Sequence, residues 1–116
     1  MQFEFSNKKV QKIMEDSNIL KGKVGLEIGK SIIKRLNQLE STDNFYEYLT
    51  CVGLGKPHPL NGVLDKCYGI HVSANYRLVV MPVTNSLDVE SLKKCEIIDI
   101  KGVLDYHGGK NEWIIP

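Results

Sequence analysis

The sequence predicts an α+β fold in which N-terminal helices pack on one face of a mostly antiparallel β-sheet. Two observations carry this prediction. Apolar residues before Cys51 recur at helical spacing, whereas after it glycine and proline separate short segments in which apolar and polar residues alternate. Because the helices would cover only one side of such a sheet, the opposite side is expected to serve function or a partner.

Length and composition limit the class of protein. The chain has 116 residues, enough for one core and too few for two ordinary domains, so we expect a single domain over residues 1–116. With 42% hydrophobic and 25% charged residues, the composition excludes a disordered or collagen-like chain. No apolar run approaches the ~18 residues of a membrane span, and the first residues lack the apolar middle of a secretion signal. These features predict a cytoplasmic protein without a membrane partner.

The first residues predict a strand followed by a helix. Phe3 and Phe5 alternate with polar residues, as in a short half-buried strand. Ser6 or Asn7 is then expected to cap a helix with one apolar side. We expect this helix to end at residues 16–18, where three poor helix formers stand together.

Two further helices are predicted in the first half of the chain. The longer follows Gly22 and carries a broad apolar stripe. Two glycines within it, Gly25 and Gly29, each cost roughly 1 kcal/mol relative to alanine in a helix interior, so they indicate either close packing or an uncertain helix start. A third, short helix is expected to begin at one of two hydroxyl caps, Ser41 or Thr42.

The second half predicts a β-hairpin. Two segments with alternating apolar residues flank a polar connection at residues 73–75, which fits a tight antiparallel turn. Their apolar positions are Tyr68, Ile70 and Val72 in the first segment and Tyr76, Leu78 and Val80 in the second. Pro82 is expected to end the second strand because it lacks the amide hydrogen that sheet pairing needs. Residues 84–94 are polar and are expected to form an exposed insertion.

A further long strand is predicted near the C-terminus. Ile98, Ile100 and Leu104 share one parity and are expected on one face, with Gly102 available for a β-bulge. Residues 113–115 are expected to form a last short strand or a packed tail.

Charge and cysteine content bound the partners and the chemistry. The formal net charge is +1, so binding to RNA would need a local basic patch. Basic residues concentrate in the first third of the chain, where they form either such a patch or, more commonly, the solvated side of amphipathic helices.

An odd number of cysteines without a Cys-x-x-Cys pair predicts reduced, packed thiols at Cys51, Cys67 and Cys95. The histidines and cysteines also lack the short spacing of metal ligands, so neither a metal nor another cofactor is predicted.

Four short motifs follow one another in the second half of the chain. They read Pro57-His58-Pro59-Leu60-Asn61-Gly62, Tyr68-Gly69-Ile70-His71-Val72, Asn75-Tyr76-Arg77-Leu78-Val79 and Asp105-Tyr106-His107-Gly108. With the opening Phe3-Glu4-Phe5-Ser6-Asn7-Lys8-Lys9, their order resembles the RelE/ParE superfamily of bacterial toxins, and within it the HigB-like, plasmid-maintenance-killer branch. Of the histidines in these motifs, we interpret His71 as structural or surface.

The resemblance implies a RelE-like fold and the toxin component of a type II toxin–antitoxin system. Such a toxin is a metal-independent mRNA interferase, an endoribonuclease that commonly cuts mRNA on the translating ribosome. A cognate antitoxin silences it, typically a HigA-like helix-turn-helix protein. Residue by residue, the family's terminal Asp-Tyr-His matches Asp105, Tyr106 and His107, its strand arginine matches Arg77, and His58 falls in the loop that often supplies another active-site side chain.

These residue types suit RNA cleavage through the ribose 2′-hydroxyl. With an ordinary imidazole pKa near ~6.5, His107 is expected to act as general acid or base, and Arg77 to hold the crowded phosphate. His58 and Tyr106 are expected to position the RNA, and Asp105 to orient His107 or a neighbouring cation. Three of these residues also have a structural interpretation: surface hydrogen bonding for His107, a rigid turn for His58 and an outward strand charge for Arg77.

Two other functions stay open on the sequence alone. A ParE-like toxin of the same fold inhibits a protein target such as gyrase without cutting RNA, and an inactive binding module would keep the fold and the antitoxin surface without catalysis. Fold does not separate these alternatives from a nuclease.

Overall fold

The protein consists of one mixed β-sheet with helices packed on one of its faces. The computed structural model describes residues 1–107 and 110–116, and the side chains of His107 and Lys110 lie outside the described part. In chain order the elements are β1 (Gln2–Glu4), α1 (Lys8–Met14), α2 (Ser17–Val24), α3 (Leu26–Ser41), α4 (Phe45–Thr50), β2 (His58–Pro59), a 3₁₀ turn (Gly62–Leu64), β3 (Tyr68–His71), β4 (Tyr76–Pro82), α5 (Val89–Lys93), β5 (Ile97–His107) and β6 (Lys110–Ile115).

The sheet is mostly antiparallel, as the sequence predicts. Its strands follow the order β1-β5-β4-β3-β2, and β6 also pairs with β5. Only the β1–β5 pair is parallel among the described strands, while β5–β4, β4–β3, β3–β2 and β5–β6 are antiparallel. The α+β fold class is therefore confirmed. No helix in the described residues is long and apolar enough to cross a membrane.

N-capping side chains set where the first two helices begin. Asn7 caps α1 by accepting hydrogen bonds from the amides of Lys9 and Val10, as predicted. The first helix ends at Met14, close to the predicted residues 16–18. Asp16 then accepts hydrogen bonds from two amides and begins a further helix, α2, which was not predicted. A short polar residue disfavours a helix interior but favours its N-terminus.

Two glycines bring α2 and α3 together. Gly25 has a φ of 92°, a conformation that favours glycine, and it separates the two helices. A Cβ on Gly29 would lie 2.7 Å from Cγ of Lys21, so the close approach of α2 and α3 requires glycine here. Close packing was one of the two predicted reasons for a glycine in this helix. The predicted caps of the next helix are wrong, because Asn44 caps α4 by accepting from the amide of Glu47.

The predicted hairpin is confirmed as β3 and β4, and Pro82 is the last residue of β4. Two short elements were missed. His58 and Pro59 add a small edge strand, β2, to β3. Residues 84–94 are not a purely exposed insertion, because they contain α5, which Asp88 caps and which buries Leu92.

A bulge in β5 changes which face its side chains occupy. Val79 pairs with Gly102 and Val80 pairs with Ile100, so Lys101 is an extra residue. Gly102 has a φ of 144°, and a Cβ there would lie 2.0 Å from the carbonyl oxygen of Ile115. The predicted bulge is confirmed, but the shared parity of Ile98, Ile100 and Leu104 does not keep them on one face.

The two faces of the sheet differ in what covers them. On the covered face, the four N-terminal helices pack against Tyr68, Ile70, Leu78, Val80, Ile98, Ile100 and Val103. On the other, which we call the open face, a smaller cluster of Cys67, Val79 and Leu104 is packed against Leu60, Leu64, Met81 and Tyr106. The three cysteines are free, as predicted, but Cys51 is exposed rather than packed.

Candidate functional site

Arg77 and Tyr106 meet on the open face at the hairpin end of the sheet. Arg77 pairs with Leu104 in the β4–β5 register, and Tyr106 follows two residues later on the same face. The Cζ of Arg77 lies 5.7 Å from the centroid of the Tyr106 ring, within the range of a cation–π contact. Nη1 of Arg77 also donates to the carbonyl oxygens of Ser73 at 2.8 Å and Tyr76 at 3.0 Å. The hairpin turn therefore holds the guanidinium beside the ring.

The β5 bulge is the reason that Tyr106 reaches this face. Before the bulge, Ile98 and Ile100 face the helices, and an unbroken strand would continue the same parity to Tyr106. The extra residue, Lys101, reverses that alternation, so Leu104 and Tyr106 lie on the open face. A bulge that redirects a side chain is a common feature beside functional sites.

His71 lies directly across from Arg77 in the β3–β4 register. Its pKa is lowered, first by partial burial and then by the positive charges of Arg77, Arg35 and Lys56. The backbone at His71 is fixed on both sides, because its amide donates to the Gly55 carbonyl at 2.7 Å and its carbonyl accepts from Nε of Arg35 at 2.9 Å. The imidazole is thus held in a locally positive environment.

His58 stands beside this pair at the edge of the sheet. It pairs with Gly69, and a Cβ on Gly69 would lie 3.6 Å from Cε1 and from Nε2 of the imidazole. The ring therefore lies over the glycine at van der Waals distance. Nδ1 of His58 lies 3.3 Å from the carbonyl oxygen of Lys56. Since Gly69 and His71 are two residues apart in β3, His58 and His71 are neighbours on the open face.

The hydroxyl of Tyr106 is set up to donate a hydrogen bond. Burial raises its pKa above the ordinary tyrosine value, and the charge of Arg77 opposes this only in part. The phenol therefore carries its proton throughout the physiological pH range.

Asp105 and His107 relate differently to these residues. Asp105 pairs with Tyr76, whose side chain packs against the helical core, so Asp105 lies on the covered face and not beside Arg77 and Tyr106. The predicted meeting of His107 with Arg77 involves a side chain outside the described residues, and it stays a prediction. The backbone of His107 pairs with that of Lys110 at the end of β5.

Three of the predicted residues, His58, Arg77 and Tyr106, therefore share the open face. The structure adds His71 and the positive charge of Lys56, which the sequence analysis left out. Register was the missing signal for His71: counting outward from the turn at residues 73–75 places it opposite Arg77. In the part of the chain that the structure describes, no group of three His, Cys, Asp or Glu side chains could hold a metal ion.

The open face continues toward β6 as a groove of about 370 Å³. Trp113, which is 44% exposed, lines it together with Lys101 and Met81. Trp113 pairs with Leu104, so its indole lies on the same face as Tyr106.

Comparisons with known proteins identify the fold. No family model matches the chain, and no curated protein matches it in sequence. The YoeB–YefM complex from Staphylococcus aureus contains a chain that is 20% identical, with a TM-score of 0.53 over 92% of this chain and 97% of that one. The YoeB/ParE toxin from Agrobacterium tumefaciens is 16% identical, with a TM-score of 0.55 over 92% of this chain and 99% of the toxin. This protein therefore has the α+β fold of these toxins.

Proposed function

We propose that this protein is the toxin of a toxin–antitoxin system and acts as a metal-independent endoribonuclease on mRNA. The observation that carries the proposal is the grouping of His58, His71, Arg77 and Tyr106 on the open face. These side chains combine a fixed positive charge, a phenol that donates hydrogen bonds and two imidazoles. Cleavage of RNA through its 2′-hydroxyl needs a proton acceptor, a proton donor and a positive charge at the phosphate, and these side chains can supply all three.

Each residue has a part in that reaction. The guanidinium of Arg77 has five N–H donors and a permanent charge, so it binds the oxygens of the scissile phosphate as their charge grows. Tyr106 donates a hydrogen bond to the phosphate or ribose, and His58 helps to position the RNA. We retain His107, which follows Tyr106 in β5, as general acid or base. Asp105, expected from the sequence to orient it, lies on the covered face and is left out of this group.

Local charge supports RNA as the ligand although the net charge is only +1. Three cations, Arg35, Lys56 and Arg77, act on His71 at the hairpin end of the sheet. Phosphate groups bind such a concentration of positive charge regardless of base sequence. The exposed ring of Trp113 supplies a surface on which an unpaired base can stack.

The structural neighbours support the toxin assignment and a protein partner. Both are toxins, and one of them was solved as a complex of YoeB with YefM. We propose by analogy that a cognate antitoxin binds this chain, and that mRNA on the ribosome is the substrate. The resemblance of the sequence to the HigB-like branch makes a HigA-like helix-turn-helix protein the proposed antitoxin.

A cleavage assay tests the proposal. Purified protein, free of any antitoxin, is incubated with translating ribosomes and separately with free RNA, in the presence of EDTA, and new RNA ends are mapped. We expect cuts that leave a 2′,3′-cyclic phosphate and a 5′-hydroxyl, and a loss of cutting in Arg77→Ala. Lys12→Ala, which removes an exposed charge on α1, is the matched control. Gyrase-dependent DNA breaks without RNA cuts would instead establish a ParE-like activity.

A further inference from the structure

We propose that His71 is a further catalytic residue, the group that accepts the proton of the ribose 2′-hydroxyl. This inference rests on the proposed ribonuclease function and gives a chemical role to a histidine that the sequence alone indicates as structural or surface. Its foundation is the position of His71 between Arg77 and His58 on the open face.

The register of the sheet brings His71 next to the phosphate site. Directly opposed residues on antiparallel strands have Cβ atoms about 4.5–5.5 Å apart, so Arg77 and His71 can contact adjoining atoms of one nucleotide. Along β3, residues on one face repeat about every 6.6 Å, and the imidazole of His58 lies over Gly69 at the next position. A phosphodiester held by Arg77 therefore lies beside two imidazoles.

Hydrogen bonds from outside the hairpin hold the backbone of His71. Arg35 reaches from α3 and donates from Nε to the carbonyl of His71 at 2.9 Å and from Nη1 to the carbonyl of Gly53 at 3.3 Å. On the neighbouring segment, a Cβ at Gly55 would lie 2.9 Å from Nε of Arg35, so only glycine lets the chain pass this close. Such support fixes the backbone from which a catalytic side chain projects.

The surrounding charge suits a proton acceptor. Burial first, then Arg77 from β4, Arg35 from α3 and Lys56 from the segment before β2, lower the pKa of His71, so the imidazole is neutral and basic at neutral pH. A bound phosphate brings negative charge to the same place and offsets these cations. The affinity of His71 for a proton thus rises when the substrate arrives, as catalysis requires.

The chemical step balances with groups on this chain. The imidazole of His71 takes the proton of the 2′-hydroxyl while the 2′-oxygen forms a bond to phosphorus. The bond from phosphorus to the 5′-oxygen breaks, and that oxygen takes a proton from a second imidazolium, His58 or His107. The products are a 2′,3′-cyclic phosphate and a 5′-hydroxyl end, and His71 is left protonated until it returns its proton to water.

His71→Gln tests this role in a pH–rate experiment on the RNA that the wild-type protein cleaves. General base catalysis contributes roughly 10²–10⁴-fold, so kcat should fall by that factor with little change in KM. The acid limb of kcat/KM against pH, which reports protonation of the base, should disappear. Thermal unfolding of the variant, compared with the wild type and with Lys12→Ala as an exposed control substitution away from the site, separates catalysis from folding. A variant that keeps the wild-type rate and acid limb overturns the role of His71 while the proposed function stands.

A second measurement does not depend on turnover. The imidazole of His71 is titrated by NMR with and without an RNA oligonucleotide whose scissile nucleotide carries a 2′-deoxyribose and cannot be cut. We expect the pKa of His71 to rise on binding. Binding without such a rise removes the proposal. Failure of the wild-type protein to cut any RNA is a different result, since it defeats the ribonuclease function itself and this role with it.

Discussion

Alternate residues of β4 lie on opposite faces of the sheet and serve different purposes. Leu78 and Val80 point toward the helices and are fully buried, whereas Arg77 points to the open face and meets Tyr106. The covered face is mostly apolar, with Asp105 at its hairpin end, while the open face mixes a small apolar cluster with several ionisable groups. Since alternation separates the two sets, changes on one face should affect stability and changes on the other should affect activity.

The largest effect is expected on the covered face. Ile98 is fully buried between β5 and the helices, so Ile98→Ala should lower the free energy of unfolding by about 2–5 kcal/mol through lost packing and a residual cavity. The matched control is Val63→Ala on the open side, where the side chain is fully exposed and the change should stay within about 0.5 kcal/mol. Urea unfolding measures both. Equal losses in the two variants would contradict the division between the faces.

Arg77→Ala should separate activity from stability on the open face. Loss of a positioned charge at the phosphate costs about 2.7–4 kcal/mol in the transition state, so RNA cleavage should fall by roughly 10²–10³-fold. Stability should fall only by about 1–2 kcal/mol, because the lost contacts are hydrogen bonds to the turn carbonyls of Ser73 and Tyr76 and the partly exposed contact with the Tyr106 ring. Arg77→Lys keeps the charge without the planar donors and should give an intermediate rate. A loss of stability as large as the loss of rate would make Arg77 a structural residue.

Asp99 is a buried charged residue, so its contribution to stability should depend on pH. Its buried carboxylate accepts hydrogen bonds from the amide of Ser6 at 3.1 Å, from the hydroxyl of Ser6 and from Nζ of Lys101 at 2.9 Å. Burial alone would raise the pKa of Asp99, but the contacts with Ser6 and Lys101 outweigh it and the pKa is lowered. Asp99→Asn should therefore cost about 1.5–3 kcal/mol at neutral pH.

The pH dependence follows from the sign of that shift. A lowered pKa in the folded state gives stability that is present above the unfolded value, near ~3.9, and is lost as the pH falls through the folded value. The gap in unfolding free energy between wild type and Asp99→Asn should narrow as the pH drops below about 4. Asp43→Asn, which changes an exposed carboxylate, is the control. A gap that stays constant down to pH 2 would show that the carboxylate charge plays no part.

How far the sequence predicts this fold depends on whether a feature is local. The β3–β4 hairpin and the Asn7 cap follow from short patterns and were predicted. β2 was missed because a two-residue strand exists only through its pairing with β3, and α5 because a polar stretch hid the single buried Leu92. Such elements depend on tertiary contacts that spacing along the chain does not reveal.

The site divides in the same way. The family resemblance, supported by residue chemistry, pointed to His58, Arg77 and Tyr106 among others, and the structure brings these three together on the open face. Periodicity placed Leu104 with the core, and only the pairing of Gly102 with Val79 shows that the strand alternation reverses after the bulge. The same reversal moves Asp105 to the covered face. A one-residue bulge thus places Tyr106 on the open face and Asp105 on the covered face, although the two are adjacent in the sequence motif.

Tyr106→Phe should have the smallest effect on the cleavage rate, and it measures what the hydroxyl of Tyr106 contributes. The ring stays beside Arg77, so stability should be unchanged, and only the hydroxyl is lost. One hydrogen bond is worth about 0.5–1.5 kcal/mol, which predicts a cleavage rate roughly 2–10-fold lower. Because burial keeps the phenol protonated, this factor should be the same from pH 6 to pH 9.

Tyr106→Leu completes the comparison, because it removes the ring as well as the hydroxyl. If the ring orients Arg77, this variant should lose more activity than Tyr106→Phe and should approach Arg77→Ala. Cleavage rates of the three variants, measured on one RNA at saturating concentration, rank these contributions. Equal rates in the Phe and Leu variants would assign the whole effect to the hydroxyl and leave the turn at residues 73–75 as the support of the guanidinium.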